Sequence, residues 1–245
     1  MIAEVNFVEY GKQDLKGYTL IEGYPGMGLV GTIAAKYLVE KLKFEEIGYI
    51  DSNIFAPVIR IHAGMPVRPA RVYADKASKV AVLISEQVIP RHFSHLVAKK
   101  TVEWIESKGI KELVSLSGVQ SSGDKSQMVF GIAANEASRE LLKRYSLREI
   151  PEGITTGVTA LILLGLRNSK VMAISMLANV QLSADYKATA EVLKKLNEML
   201  GLNLNVEPLL EEAKQMEKQL LEQLQKLKDT KDNAENFEHR TPLVT

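Results

Sequence analysis

The chain contains no cysteine. Disulfides, thiolate nucleophiles, zinc–thiolate centres and iron–sulfur clusters are excluded together. It also has no excess of charge of either sign: 31 Lys and Arg stand against 30 Asp and Glu, a formal net charge of +1. Proteins that hold nucleic acid need a basic excess or a basic stripe, so nucleic acid is not an expected partner. Long apolar runs are missing too. Ala160–Leu164 is typical of the longest, far short of the roughly 20 residues that a membrane-spanning helix needs. The start, Met1-Ile2-Ala3-Glu4, has no basic region followed by an apolar stretch. The expectation is a cytoplasmic protein without membrane contact. What is present is ordinary: 245 residues, 46% hydrophobic and 25% charged, enough to bury a large core without covalent staples.

Short apolar runs alternate with helical periodicity. Thr19–Tyr24 reads as a strand, and Leu29–Leu42 as a helix with its apolar residues on one stripe. Ile47–Ile50, Val58–His62, Arg71–Ala74 and Val80–Ser85 read as strands, with turn signals at Gly64-Met65-Pro66 and Asp75–Ser78. A helix over Phe93–Ser107 closes at Lys108-Gly109. Leu113–Leu116 and Met128–Ile132 are strands, and Ala134–Tyr145 a helix. Thr155–Leu166 is apolar nearly all round, which predicts a buried helix. Val171–Leu177 is a strand, and Ser183–Leu200 an amphipathic helix with Ser183 as its N-cap and Gly201 past its end. This rhythm predicts an α/β fold: a mostly parallel sheet with helices on both faces, with a mixed region or hairpin insert near residues 58–85.

The division expected is an α/β core over residues 1–205 and a C-terminal extension over 206–245. In the extension, Glu207–Lys228 reads as a helix. Its apolar stripe is Leu209, Ala213, Met216, Leu220, Leu224 and Leu227, with Leu210 at the border. Such a stripe either packs back on the core or meets a partner or a second copy. Asp229–Thr245 is almost devoid of apolar residues until Leu243-Val244 and reads as a flexible tail.

One motif points to a ligand. Gly26-Met27-Gly28-Leu29-Val30-Gly31 matches G-x-G-x-x-G between a strand and a helix, and Asp51 closes the next strand. Glycines there let backbone approach a pyrophosphate at a helix N-terminus, and the acidic residue meets a ribose. Pro25 and the strands that follow Asp51 depart from that pattern. The plainer reading is a tight turn with close helix packing. A P-loop fails, because Thr32 and Ile33 stand where Lys and Ser/Thr are required. No G-x-S-x-G elbow exists. His92 and His95 share a helix start without a metal-binding frame; His62 lies beside Ile61 near Arg60. Ser121–Asp124 is a polar loop after a strand, and Glu22, Asp51, Glu86, Asp124 and Asp185 form no visible pair.

Glu22 through Gly31, reading Glu-Gly-Tyr-Pro-Gly-Met-Gly-Leu-Val-Gly, resembles the opening motif of the proteasome assembly chaperone family. Ile50-Asp51-Ser52, Pro57–His62, Gly64-Met65-Pro66, Leu116-Ser117-Gly118 and Asp185–Ala188 with Leu196–Leu202 extend the similarity over about residues 1–215. The resemblance implies a three-layer fold similar to nucleoside phosphorylases without their catalytic set, binding proteins rather than enzymes, and no cofactor at the glycines. It implies an ATP-independent assembly chaperone or adaptor that forms a homo-oligomer, for which a tetramer is one candidate, and that engages proteasome α subunits. Unfolded client proteins are a further candidate partner. In several members a C-terminal hydrophobic-Tyr-any motif enters pockets between α subunits. Here Leu243 matches the hydrophobic position, Val244 replaces the tyrosine and Thr245 ends the chain. The pocket-binding phenol is missing, so the helix and tail are alternative contact surfaces. The rival readings are a nucleoside- or dinucleotide-binding enzyme or sensor at Gly26–Gly31, and a holdase acting through the C-terminal helix.

Overall fold

The computed structural model describes residues 2–57, 59–120, 129–212 and 214–215. The chain divides into two units, Met1–Val206 and Glu207–Thr245. Eleven strands and five helices form the first: β1 (Val5–Glu9), β2 (Thr19–Gly23), α1 (Val30–Lys41), β3 (Glu45–Ser52), β4 (Arg60–His62), β5 (Met65–Val67), β6 (Ala70–Asp75), β7 (Val80–Ser85), α2 (Ser94–Ser107), β8 (Glu112–Val119), β9 (Val129–Ala133), α3 (Glu136–Arg144), β10 (Arg148–Glu149), α4 (Gly157–Gly165), β11 (Met172–Asn179) and α5 (Tyr186–Leu200).

Nine strands make one sheet in the order β1-β3-β6-β7-β2-β8-β11-β9-β10. The four central strands, β7-β2-β8-β11, are mutually parallel. They read as continuous apolar runs because helices cover both faces: α1 and α5 pack on one side, α2 and α4 on the other. Strands β1, β3 and β6 add an antiparallel wing to β7. Strands β4 and β5 form a separate two-stranded hairpin with Ala63 and Gly64 at positive φ in its tip. That hairpin is the insert expected near residues 58–85. Its second strand lies where Gly64-Met65-Pro66 reads as a turn.

Several boundaries differ from expectation for identifiable reasons. Strand β1 is a short edge strand, too brief for alternation to announce it. Helix α5 is capped by Asp185 rather than Ser183, because the Asp185 carboxylate accepts the Ala188 N–H (2.9 Å) and the Gln181 N–H (2.9 Å). Gly201 ends it at φ 62°. Helix α4 is not buried all round. It belongs to an outer layer, so Val158, Ile162 and Leu163 face inward while Leu164 is 62% exposed. In the second unit, residues 207–212 and 214–215 are helical. The remainder of the expected helix, and the tail from Asp229, lie outside the described residues. No helix among the described residues is long and apolar enough to cross a membrane.

Candidate functional site

The glycine motif sits where β2 ends, among the carboxyl ends of the central strands. After Gly23 the chain turns through a short 3-10 segment, Met27–Leu29, into α1. Gly28 has φ 66°, and a side chain there would also collide with Val180. Gly31, in the first turn of α1, lies against the Leu116 carbonyl of β8, where no Cβ fits. Gly26 faces the Ser117 hydroxyl. The Gly28 carbonyl accepts the Asp185 N–H at 2.9 Å, tying this turn to the start of α5. The room that the glycines make is thus filled by the chain's own β8, Val180 and Asp185. They let three elements approach closely, which is the tight-turn and close-packing role for these glycines.

Asp51 does not serve this turn either. Strand β3 is separated from β2 by β6 and β7, roughly 14 Å at ordinary strand spacing. Asp51 is exposed and pairs with Arg68 at 3.0 Å. In a dinucleotide fold the acidic residue ends the strand adjacent to the glycine turn; here the sheet order moves it away.

Beneath the turn lies a polar cluster of which sequence reasoning names Glu22 as a candidate carboxylate but not its partners. Glu22 is fully buried and points into the layer of α2 and α4. Its Oε1 accepts the Tyr24 N–H (2.8 Å), and the Thr159 hydroxyl of α4 lies 3.1 Å from both carboxylate oxygens. Ser115 stands opposite Glu22 on β8, and Ser175 opposite Ser115 on β11, both buried. Burial pushes the Glu22 carboxyl above the usual range, opposed by the nearby Ser115 hydroxyl and by hydrogen bonds from the Tyr24 N–H and Thr159. The Tyr24 hydroxyl donates to Thr101 (3.1 Å), which itself donates to the Val97 carbonyl; burial raises that phenol as well. The one sequence signal is Glu22's place directly before the glycine motif.

A second charged cluster lies on the antiparallel wing. Glu86, after β7, holds Arg71 (2.8 Å) and Arg60 (3.4 Å), and Arg60 also meets Glu40 (3.4 Å). The Arg71 guanidinium donates to the Tyr73 hydroxyl (2.9 Å), which donates to Glu46 (3.2 Å). Burial pushes the Tyr73 phenol up to about 12. Arg60 thereby fixes the base of the β4–β5 hairpin to the core.

The other residues singled out are dispersed. His62 is exposed in β4, and His92 and His95 are exposed at the start of α2, His92 against Phe93. Among the described residues no group of three or more His, Asp or Glu could hold a metal ion. An open groove of about 580 Å³ between α3 and α4 is lined by Ile132, Leu163, Arg139 and Arg167, and none of the motif residues reaches it. Ser121–Asp124 lies outside the described residues. Of the C-terminal stripe, Leu209 is buried and Leu210 half-buried. Ala213, Met216, Leu220, Leu224, Leu227, Leu243, Val244 and Thr245 lie outside the described residues.

Comparison with known families matches the PAC2 family over residues 20–224. The chain belongs to the PAC2 family. The uncharacterized protein MJ0106 of Methanocaldococcus jannaschii is 33% identical over 223 residues, 91% of this chain and 92% of that protein. Human proteasome assembly chaperone 2 is 24% identical over 125 residues, 47% of each chain. Among solved structures, Pyrococcus furiosus PbaA, an archaeal homolog of proteasome-assembly chaperone, superposes with a TM-score of 0.83 at 30% identity, covering 95% of this chain and 96% of PbaA. Pyrococcus furiosus PbaB, an archaeal proteasome activator, gives 0.76 at 24% identity over 89% of this chain and 98% of PbaB. The motif resemblance points first to PbaB; identity and superposition are both higher for PbaA.

Proposed function

We propose that this protein is an ATP-independent proteasome assembly chaperone or adaptor, non-enzymatic, cytoplasmic and active as a homo-oligomer. The observation that carries the reading is the PAC2 match across residues 20–224, supported by the shared fold and 30% identity with PbaA. The position of Asp51 supports it from the other side, because β6 and β7 separate its strand from the glycine turn that a dinucleotide site would pair it with. The partners are proteasome α subunits. The contact segment in this reading is the C-terminal sequence from Glu207, with Leu210, Ala213, Met216, Leu220, Leu224 and Leu227, and the terminal Leu243-Val244-Thr245. Without a tyrosine at 244, the contact relies on the apolar residues before Asp229 more than on the last three.

Native mass spectrometry of the full chain with purified proteasome α subunits tests this. A stoichiometric complex, lost on deletion of residues 207–245, is expected. A chain that ignores α subunits at micromolar concentration refutes it, and suppression of client aggregation by that same chain would assign holdase activity instead.

A further inference from the structure

The large apolar side chains that the core leaves exposed collect at one end. Where the central parallel strands finish, every described loop presents one. Met27 and Leu29 stand in the turn after β2, Val88 after β7 at 76% exposure, and Leu182 after β11. The β4–β5 hairpin is inserted after β3 at this same end, and adds Ile59, Ile61 and Met65, each 65–70% exposed. Ile2, whose carbonyl accepts from Asn53 at 2.8 Å, precedes β1 there. Of eleven such side chains among the described residues, these are eight. The loops at the opposite end carry exposed Lys43, Lys76, Lys79 and Lys170 in their place.

Spread along this end from β1 to β11, the eight together expose on the order of 900 Å², close to the about 800 Å² that one partner contributes to a standard interface. The hairpin adds a directional feature. A free two-stranded ribbon is marginal in water, and among the described residues β4 pairs with β5 alone. The two-residue tip makes His62–Met65 the hydrogen-bonded closing pair, so the backbone groups of the next pair, Ile61 and Pro66, point outward. Pro66 has no N–H to offer, which closes the β5 edge. The β4 edge keeps the donor and acceptor of Ile61. Such an edge is its own complement across a two-fold axis.

We infer that this end of the core is where two copies of the chain meet, the outer edge of β4 pairing antiparallel with the same strand of the second copy and Ile59, Ile61 and Val88 packing between them. The inference rests on the homo-oligomer in the proposed function and names its surface. Arg60, held by Glu40 and Glu86 on the other face of β4, orients the strand for this contact.

The test is the mass of the full chain in solution, by light scattering and native mass spectrometry, for wild type, Ile59→Asp/Ile61→Asp, Val88→Asp and Leu164→Asp. Wild type and Leu164→Asp are expected to be oligomeric. The first two variants are expected to dissociate at least tenfold more readily, with unchanged circular dichroism. A monomeric wild type, or a wild-type mass in both Asp variants, overturns the inference. Binding to α subunits is read in parallel. Variants that keep their mass but lose α subunits would put the proteasome on this face and also overturn it. A wild-type oligomer that dissociates as expected yet ignores α subunits supports the interface and refutes the chaperone reading alone.

Discussion

The Thr159 hydroxyl sits 3.1 Å from both carboxylate oxygens of Glu22, joining α4 to the end of β2 inside a layer that water does not reach. A carboxylate so placed prefers its proton more in the folded than in the unfolded chain. Its contribution to stability is therefore full below the unfolded value, about 4.3, and is lost as pH rises through the raised folded value. Glu22→Gln keeps an acceptor for the Tyr24 N–H and removes this dependence. Urea unfolding between about pH 4 and about pH 8 is expected to show the variant gaining on wild type as pH rises. Parallel curves would show that burial does not govern this group.

Glycine 31 makes a different prediction from that of a nucleotide loop. Because its Cα faces the Leu116 carbonyl, Gly31→Ala must push α1 from β8, costing about 1–3 kcal/mol or more. The loss is expected in calorimetry with no ligand present. A variant of wild-type stability would mean that the turn has slack the geometry does not show.

Glu86 is shared by two guanidiniums, and the better buried, Arg71, has more to lose. Glu86→Ala is expected to cost about 3–5 kcal/mol, because Arg71 keeps its charge without its carboxylate. Arg60→Ala, at a more open site, is expected to cost about 1 kcal/mol. Chemical denaturation of the two variants checks the order; equal costs would show that Arg71 finds water.

Asp185 caps α5 and also holds Gln181, with a backbone bond to Gly28. Asp185→Ala is expected to cost about 2 kcal/mol. Asp185→Asn, which keeps one acceptor, is expected to cost less. Hydrogen exchange at Ala188 should report the loss first; unchanged protection there would count against the cap.

These sites also show what could be read in advance. The strand–glycine–helix unit at residues 19–41 was legible, because local signals all agree there: β-branched residues, a turn needing Gly28, then a helical stripe. Its meaning was not, since Asp51 satisfies the nucleotide pattern in sequence while two strands intervene in space. Strand order is a non-local property that no spacing contains. The cap at Asp185 was displaced by two residues for the same reason: Ser183 is an equally good cap type, and the choice depends on Gly28, far away in sequence. Glu22 reads as one polar residue in an apolar strand, and only Thr159, on a helix 137 residues later, shows how it is accommodated.

The sheet order also has a consequence for how the chain is made. Strand β2 pairs through one edge with β7 and through the other with β8, some 93 residues downstream. During synthesis, the wing β1-β3-β6-β7 can assemble around β2 while residues 112–119 are still inside the ribosome. Through that interval the apolar edge of β2 is a bare strand with no neighbour, the kind of edge on which nascent chains associate. The order in which the strands emerge therefore makes the first half of this protein dependent on the second, and a ribosomal pause before residue 119 a point at which aggregation begins.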